Sequence, residues 1–528
     1  MPKIHLYDST LRDGAQMESV SFSLEDKLNI ASLLDRLGVD YIEGGYPTSN
    51  PRDMAFFHEI RERGLRHARV AAFGNTRRAK NQVEDDPSIR AILASEAPVA
   101  TVVGKSWDLH IRDVLRASPE DNLRMIADSV KYLKSRGLEV VYDAEHFFDG
   151  FKADPALATA TLGAAVEAGA DAVVLCDTNG GCLPHEVAEI TAATAGDVPV
   201  LLGFHGHNDA GCALANTLAA VQAGARHVQG CVNGFGERTG NADLCAMAAN
   251  LQIKMKHDCL PAESLSLLTE LSRYVYEAAN LPLRDHQPFV GRSAFAHKGG
   301  LHVDAMLKNP LSYEHILPEL VGNERRILVS ELAGGATIGL KLNEIGVPDD
   351  RELRRKILDE VQNLESEGYQ FELADASFRL LVRRVLGGAP AFFKLHGFRT
   401  IIEKRGHDEP PLTEATVKVV VDGLHELCAA EGDGPVNALD AALRKALERF
   451  YPRIAEVRLV DYKVRVINPR AGMAAKVLVV VESRDGEEIW ATVGVSENII
   501  EASWQALVDS INYKLQKDAK GQVAGTGG

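Results

Sequence analysis

Apolar and polar positions along roughly the first 250 residues repeat one arrangement: a short run or two-residue alternation, then a longer stretch at helical spacing. The short runs predict strands at Ile4 to Ser9, Tyr41 to Gly45, Ala68 to Phe73, Val99 to Val103, Glu139 to Ala144, Ala172 to Cys176, Val200 to Phe204 and His227 to Val232. Between them, segments such as Leu24 to Leu37, Asn122 to Leu133, Leu157 to Ala168 and Ala213 to Ala223 predict amphipathic helices. The endings Leu37-Gly38-Val39, Ala168-Gly169-Ala170-Asp171 and Ala223-Gly224-Ala225-Arg226 read as helices stopped by glycine and fed into the next strand. Eight such units predict a closed TIM-type (β/α)8 barrel. An open doubly wound sheet is the alternative, but no GxGxxG follows the first strand, where Asp8 to Gln16 stands instead.

After about residue 255 the pattern turns helical, interrupted by a polar, glycine-rich stretch from Gly291 to His302. Residues from about 311 to 400 read mostly as charged helix, including Asp350 to Ser366, and connect two larger units. Beyond Leu412 the order is strand (Thr416 to Val421), helix (Val436 to Phe450), three strands (Glu456 to Val466, Ala475 to Val481, Glu488 to Gly494) and an amphipathic helix (Ile499 to Lys514). The predicted fold is therefore α/β: a barrel at 1–270, helical linker subdomains at 271–411, a small α+β domain at 412–516, and a disordered tail at 517–528.

Composition narrows what such a chain does. At 528 residues and 45% apolar content it must form more than one core. A net charge of −16 argues against nucleic-acid partners, though the local run Arg77-Arg78-Ala79-Lys80 can meet a phosphorylated substrate. The start reads directly into a strand, so no leader or membrane anchor is expected and the expected location is cytoplasmic. Seven cysteines without close CxxC pairs disfavour both a disulfide framework and a structural zinc site.

Chemistry in a barrel of this kind belongs at the C-terminal ends of its strands. Those ends collect Arg12 and Asp13, Glu43, Lys105, Asp143 and Glu145, Asp177-Thr178-Asn179, His205 and His207, and Glu237 with Asn241. His205 and His207 stand two apart on a strand and point the same way, a ready ligand pair for a metal. Asp13 is the natural third ligand, because strand one closes against strand eight. One acid and two imidazoles leave coordination positions open, and the mixed N/O set admits Zn, Mn, Mg or Co. The ordinary alternatives are a hydrogen-bonded histidine pair shaping a loop, and a capping role for Asp13.

Arg12 beside a polarised carbonyl can stabilise an enolate or alkoxide, whereas in a plain loop it would simply reach solvent. Glu145 is a candidate acid or base that Asp143 could orient, with a salt bridge as the alternative. Thr178 can hydrogen-bond a substrate carboxylate or merely form a turn. His302 is a proton-transfer candidate or a histidine packed between helices. The Gly234 to Asn241 loop can offer amides to a phosphate or serve as a tight turn.

Five segments then carry a resemblance: Thr10-Leu11-Arg12-Asp13-Gly14-Ala15-Gln16, Asp177-Thr178-Asn179-Gly180, His205-Gly206-His207-Asn208-Asp209, Gly236-Glu237-Arg238-Thr239-Gly240-Asn241 and His297-Lys298-Gly299-Gly300-Leu301-His302-Val303-Asp304. Together they resemble the acyl-CoA-dependent Claisen condensation family of 2-isopropylmalate, homocitrate and citramalate synthases. Gly104 to His110 and Tyr142 to Gly150 look most like its citramalate branch, which condenses acetyl-CoA with pyruvate on a route to isoleucine. The resemblance implies metal ligands Asp13, His205 and His207, with Asn241 near the metal shell. It implies Arg12 at the substrate oxo oxygen, Thr178 and Gln16 as substrate contacts, and Glu145 as the catalytic glutamate.

His302 and Tyr313 match linker residues that complete the site, in this family often that of the partner subunit, which implies a homodimer with exchanged linkers. Gly494 to Trp504 looks like the family's allosteric domain and implies feedback by isoleucine. The alternatives are the same condensation on a larger 2-oxo acid, a metal-dependent aldolase or lyase, and a non-catalytic amino-acid sensor. The sequence departs from the family at Glu331 to Gly339, which lacks the usual basic and amide side chains, and at Gly206, where cysteine is common in the branch.

Overall fold

The computed structural model describes residues 3–48, 51–330, 333–388, 392–467 and 475–525. They form two compact units, Met1–Phe295 with Ile316–Arg325, and Ala296–His315 with Arg326–Gly528.

In the first unit eight parallel strands close into a barrel: β1 (His5–Asp8), β2 (Tyr41–Gly45), β3 (Arg69–Asn75), β4 (Val99–Lys105), β5 (Glu139–Glu145), β6 (Ala172–Asp177), β7 (Leu201–Gly206) and β8 (His227–Gly230). Closure is made by β1 on β8, with Leu6 opposite Val228 and Tyr7 opposite Gln229. All eight predicted strands are present, and the open sheet is excluded. The alternation explains why: Tyr7, Tyr41, Val99, Val141 and Val174 pack together inside the barrel, while Leu6, Ile42, Ala100, Val140 and Val173 join the core beneath the helices.

The helices begin and end on local signals. Helix Leu24–Leu37 starts with a reciprocal Ser23/Asp26 cap, and the predicted stops at Gly38, Gly169 and Gly224 adopt φ of 94°, 100° and 125°.

The second unit opens with a short parallel pair, β9 (Ala296–His297) and β10 (Arg326–Ile327). Helices Gly300–Lys308, Gly335–Glu344, Arg351–Glu367 and Asp375–Val385 follow the predicted helical linker, and Ile338, Leu342, Ile357, Val361, Phe378 and Leu381 form a core of their own. Two antiparallel sheets come next: β11 (Lys394–Glu403), β12 (Leu412–Val421) and β13 (Leu424–Gly432), then β14 (Arg458–Val466), β15 (Val477–Arg484) and β16 (Ile489–Ser496). Helices Pro435–Leu447 and Ile499–Gly525 accompany them.

Three expectations change here. The order is βββαβββα and not βαβββα, because β11 and β13 flank β12 as edge strands and show little of the buried alternation that makes a strand readable. Since β11 pairs along its length with β12, this sheet begins at Lys394 and not at 412. The last helix runs to Gly525, so residues 517–525 are helical where a disordered tail from 517 was expected. Ion pairs from Lys514 to Asp485 (3.0 Å) and from Lys517 to Asp485 (2.8 Å) hold that turn against the hairpin joining β15 and β16. Residues 526–528 lie outside the described residues, as do Glu331 and Leu332 of the divergent linker segment, whose Gly334 precedes the helix Gly335–Glu344.

Gly206 shows why one of the departures matters for packing. A Cβ there would lie 2.8 Å from the Phe204 ring, which is itself packed edge-on against Phe148 at 5.7 Å. Its position faces the helical layer, away from His205 and His207. Gly206→Ala should therefore destabilise the barrel by about 1–3 kcal/mol through overpacking. Urea denaturation would show this as a lower midpoint at constant slope, and an unchanged midpoint would mean the ring yields freely.

Candidate active site

β7 delivers His205 and its continuation His207 to the barrel mouth, and the turn after β1 delivers Asp13. Nε2 of His205 lies 3.6 Å and Nε2 of His207 3.8 Å from Oδ2 of Asp13. All three residues are buried, and one ligand atom from each lies within 4.8 Å of the others. Ligands each about 2.1 Å from a shared ion stand about 3–4 Å apart, so the spacing fits a divalent cation. Buried Oδ1 of Asp13 and Oδ1 of Asn241 have no hydrogen-bond partner among the described residues, which is what acceptors reserved for such an ion require. Asn241 is brought beside His207 by an isolated antiparallel bridge.

The protonation pattern suits ligation. Burial, reinforced by each other and by Arg12, keeps His205 neutral, and burial also lowers the pKa of His207. For Asp13 burial alone would favour the neutral acid, but the Arg12 guanidinium outweighs it and holds the carboxylate ionised.

A chain of hydrogen bonds inside the barrel sets the tautomer of His205. Gln229 Nε2 donates to Asp143 Oδ1 (3.0 Å), which leaves Gln229 Oε1 to face His205 Nδ1 (3.0 Å). An amide oxygen only accepts, so Nδ1 carries the proton and Nε2 presents its lone pair toward Asp13. Gln229 was not singled out from the sequence. The available signal was that His227 and Gln229 alternate with Val228 in a barrel strand, placing two polar side chains inward. Asp143 correspondingly does not orient Glu145 as expected: its carboxyl is engaged by Gln229, and burial with the charge of Glu43 pushes its pKa up to about 8.

Arg12 is held just as firmly. Its Nε donates to Glu43 Oε2 at 2.6 Å, Nη1 to Asp13 Oδ2 at 3.2 Å, and its guanidinium lies 4.0 Å from the Phe73 ring centroid. Tyr7, also missed from sequence, donates its hydroxyl to Glu43 at 2.7 Å. Arg12 and the exposed Gln16 line a cavity of about 390 Å3 with Tyr46 and Phe73. Glu145, at the end of β5, forms an ion pair with Lys105 at the end of β4. Thr178 lies at the same rim; its hydroxyl accepts the His146 N–H at 2.9 Å, and its carbonyl accepts from Arg238 at 2.8 Å, while Arg238 also binds Asp209. The Gly234 to Asn241 loop is a tight turn, since a Cβ at Gly240 would sit 2.0 Å from the Gly234 carbonyl oxygen.

His302 and Tyr313 belong to the second unit. Their rings stack at 4.1 Å and both are exposed. The segment carrying them is secured by a buried His297–Glu314 contact of 3.1 Å, and His302 is thus paired with an aromatic ring rather than packed between helices.

Gln229→Leu removes both bonds of the Asp143–Gln229–His205 chain with little change in volume. Metal affinity measured by competition with a chromophoric chelator should fall about 10–100-fold, the usual cost of losing a partner behind a ligand. Undiminished affinity would show that His205 needs no such support.

Residues 3–275 match the HMGL-like family, residues 289–368 the homocitrate synthase post-HMGL domain-like family, and residues 372–515 the LeuA allosteric (dimerisation) domain. A protein of Aquifex aeolicus named (R)-citramalate synthase is 53% identical over 520 residues, covering 98% of each chain. One of Geobacter sulfurreducens with the same name is 53% identical over 519 residues, again covering 98% of each. A protein of Methanopyrus kandleri named probable 2-isopropylmalate synthase is 33% identical over 510 residues, covering 97% of this chain and 98% of its own. With identity sustained through barrel, linker and C-terminal domain alike, the chain belongs to the citramalate synthase family of acyl-CoA-condensing enzymes.

Proposed function

We propose that this chain condenses acetyl-CoA with pyruvate and hydrolyses the resulting thioester, yielding (R)-citramalate and CoA for isoleucine biosynthesis in the cytoplasm. The observation that carries the reading is the 53% identity, over 98% of the chain, to relatives named (R)-citramalate synthase.

Asp13, His205 and His207 would hold a divalent ion, Mn, Mg, Zn or Co, with Asn241 beside them. When bound, the ion supplies Lewis-acid polarisation of the 2-oxo acid's carbonyl. Arg12, immobilised by Glu43, then directs its guanidinium at the oxygen that gains charge, while Thr178 and Gln16 take the substrate carboxylate and neighbouring polar groups. Glu145 and His302 are the groups that move the proton from the acetyl methyl. The methyl carbon bonds to C2 of pyruvate, its carbonyl oxygen ends as a hydroxyl, and water cleaves the thioester to release the CoA thiol. Lys105 pairs with Glu145 and so fixes where its carboxylate stands at the rim. The barrel carries the chemistry and the linker residues His302 and Tyr313 complete the site from the partner subunit.

Residues 372–515 support a homodimer under allosteric control. So do the apolar side chains left exposed on these sheets, among them Leu427 (68%), Ile489 (61%) and Leu459 (48%), more than a free sheet edge comfortably shows to water. No helix among the described residues is long and apolar enough to cross a membrane.

Free CoA release should be fastest, by kcat/KM, with pyruvate among pyruvate, 2-oxoisovalerate and 2-oxoglutarate; preference for either larger acid would overturn the assignment. His207→Ala should reduce turnover by more than about a hundredfold, since loss of an outer partner alone costs about 10–100-fold. Retained metal stoichiometry and rate in that variant would remove the proposed ligand role. Isoleucine added to the full chain should slow CoA release, and a flat response through the millimolar range would leave the C-terminal domain without this effector.

A further inference from the structure

The segments Gly104 to His110 and Tyr142 to Gly150 bring Lys105 and Glu145 side by side at the ends of β4 and β5, and Asp143 to the interior. Four further side chains of the same segments, Trp107, His110, His146 and Asp149, gather into one cluster at that rim. His146 is its centre. It follows Glu145 directly and adopts φ 57° and ψ 34°, a left-handed conformation that is unfavourable for a residue with a side chain and persists only where the surroundings enforce it.

Three contacts enforce it. The His146 amide donates to Oγ1 of Thr178 at 2.9 Å, which ties the turn after β5 to the end of β6 and leaves the threonine's own hydroxyl proton to a substrate carboxylate. Nδ1 of the buried imidazole lies 3.3 Å from Oδ2 of Asp149, and the same oxygen accepts from Nδ2 of Asn179, next to Thr178, at 2.9 Å. A carboxylate only accepts, so Nδ1 carries the proton. The His110 ring meets the His146 ring at 4.1 Å between centroids and is itself stacked on Trp107 at 5.5 Å and 18°. Buried Nδ1 of His110 has no hydrogen-bond partner among the described residues, so His110 offers His146 a ring face and not a bond. Burial, with His146 and Lys105 nearby, lowers the pKa of His110, so at neutral pH the rings meet without two like charges. Gly150 sets how close the two loops come: a Cβ there would lie 2.1 Å from the Ser106 carbonyl oxygen, so only glycine lets the helix Phe147–Ala153 approach the loop after β4.

We propose that His146 is a positioning residue for the condensation, its ring clamped by Asp149 and His110 so that its backbone holds Glu145 and Thr178 in register across the ends of β5 and β6. The proposal rests on the condensation reading above. There Glu145 serves the acetyl methyl and Thr178 the carboxylate of pyruvate, so the distance between these two side chains sets how the two reactants meet. A single turn joins them, and His146 is the residue in it that touches β4, β5 and β6 alike.

The test is the kinetics of the metal-loaded full chain in two pairs of variants. His146→Gly keeps the left-handed turn and removes the ring; it should lower kcat and raise KM for pyruvate, each about tenfold or more, as misplaced reacting groups do, with KM for acetyl-CoA within about twofold of wild type. His146→Asn, whose Nδ2 stands where the imidazole Nδ1 was and whose backbone tolerates the turn, should recover most of both losses. His110→Ala should move kcat and KM for pyruvate in the same direction, and His110→Phe, which keeps a ring face, should leave them near wild type. Wild-type constants in His146→Gly, or equal losses in His146→Gly and His146→Asn, would overturn the role. Hydrogen exchange at residues 145–150 without substrate, read by mass spectrometry, should quicken about tenfold in His146→Gly and His110→Ala but not in His146→Asn or His110→Phe. Unchanged exchange in the first two sinks the clamp whether or not the chain turns over. The expected exchange pattern in a chain that releases no CoA with any 2-oxo acid would uphold the clamp and sink the condensation.

Discussion

One amide in the barrel interior orients His205 within the Asp13, His205 and His207 cluster. Gln229 has a donor end, which meets Asp143 Oδ1, and an acceptor end, which faces His205 Nδ1. Reversing the amide would set its NH2 against His205, so that Nδ1 would have to accept and Nε2 would carry the proton facing Asp13. Because Gln229 comes from β8, Asp143 from β5 and His205 from β7, the arrangement also depends on barrel closure. A one-residue slip of β8 against β1 would turn Gln229 out of the interior.

The same confined space limits how much charge the site can carry. Arg12 is shared between Glu43 and Asp13, and a third carboxylate nearby would leave the interior strongly negative. Asp143 avoids this by remaining largely protonated at neutral pH, its pKa pushed up to about 8 by burial and by Glu43. A protonated Asp143 still accepts from Gln229 through Oδ1, so the bond that orients His205 survives without the cost of another buried charge. Arg12 in turn cannot swing away: Glu43 takes its Nε, Tyr7 holds Glu43, and Phe73 covers its face. The cation is thereby fixed in place, which in the proposed condensation would spare reorganisation as charge develops.

How legible each part was follows from what burial imprints on a sequence. Barrel strands have two different apolar environments, inside and outside, and their glycine-stopped helices repeat, so all eight strands could be placed and Asp13, His205 and His207 brought to one rim. Gln229 and Tyr7 were missed because their importance lies in partners 86 and 36 residues distant, which no local pattern encodes. Adjacency misled for Asp143 and Glu145: two residues apart on β5, they reach different levels of the interior, one meeting Gln229 and the other Lys105. In the C-terminal sheets, β12 shows clean alternation because it is flanked on both sides, whereas β11 and β13 remain half in solvent.

The edge strands also explain why the second unit was harder to read than the first. Alternation in a sequence records burial, and a barrel completes its burial within one chain, where every strand finds two neighbours. The sheets of the second unit stop at strands whose leucines and valines stay exposed, Leu424 and Leu427 on β13, Leu459 and Val464 on β14. Such side chains are costly in a lone chain and reasonable in the proposed homodimer, where a second copy provides the missing face. The segment of His302 and Tyr313 follows the same logic. It is anchored by buried His297 and Glu314, yet leaves Leu301 84% exposed, a rigid base carrying a surface that this unit alone does not cover.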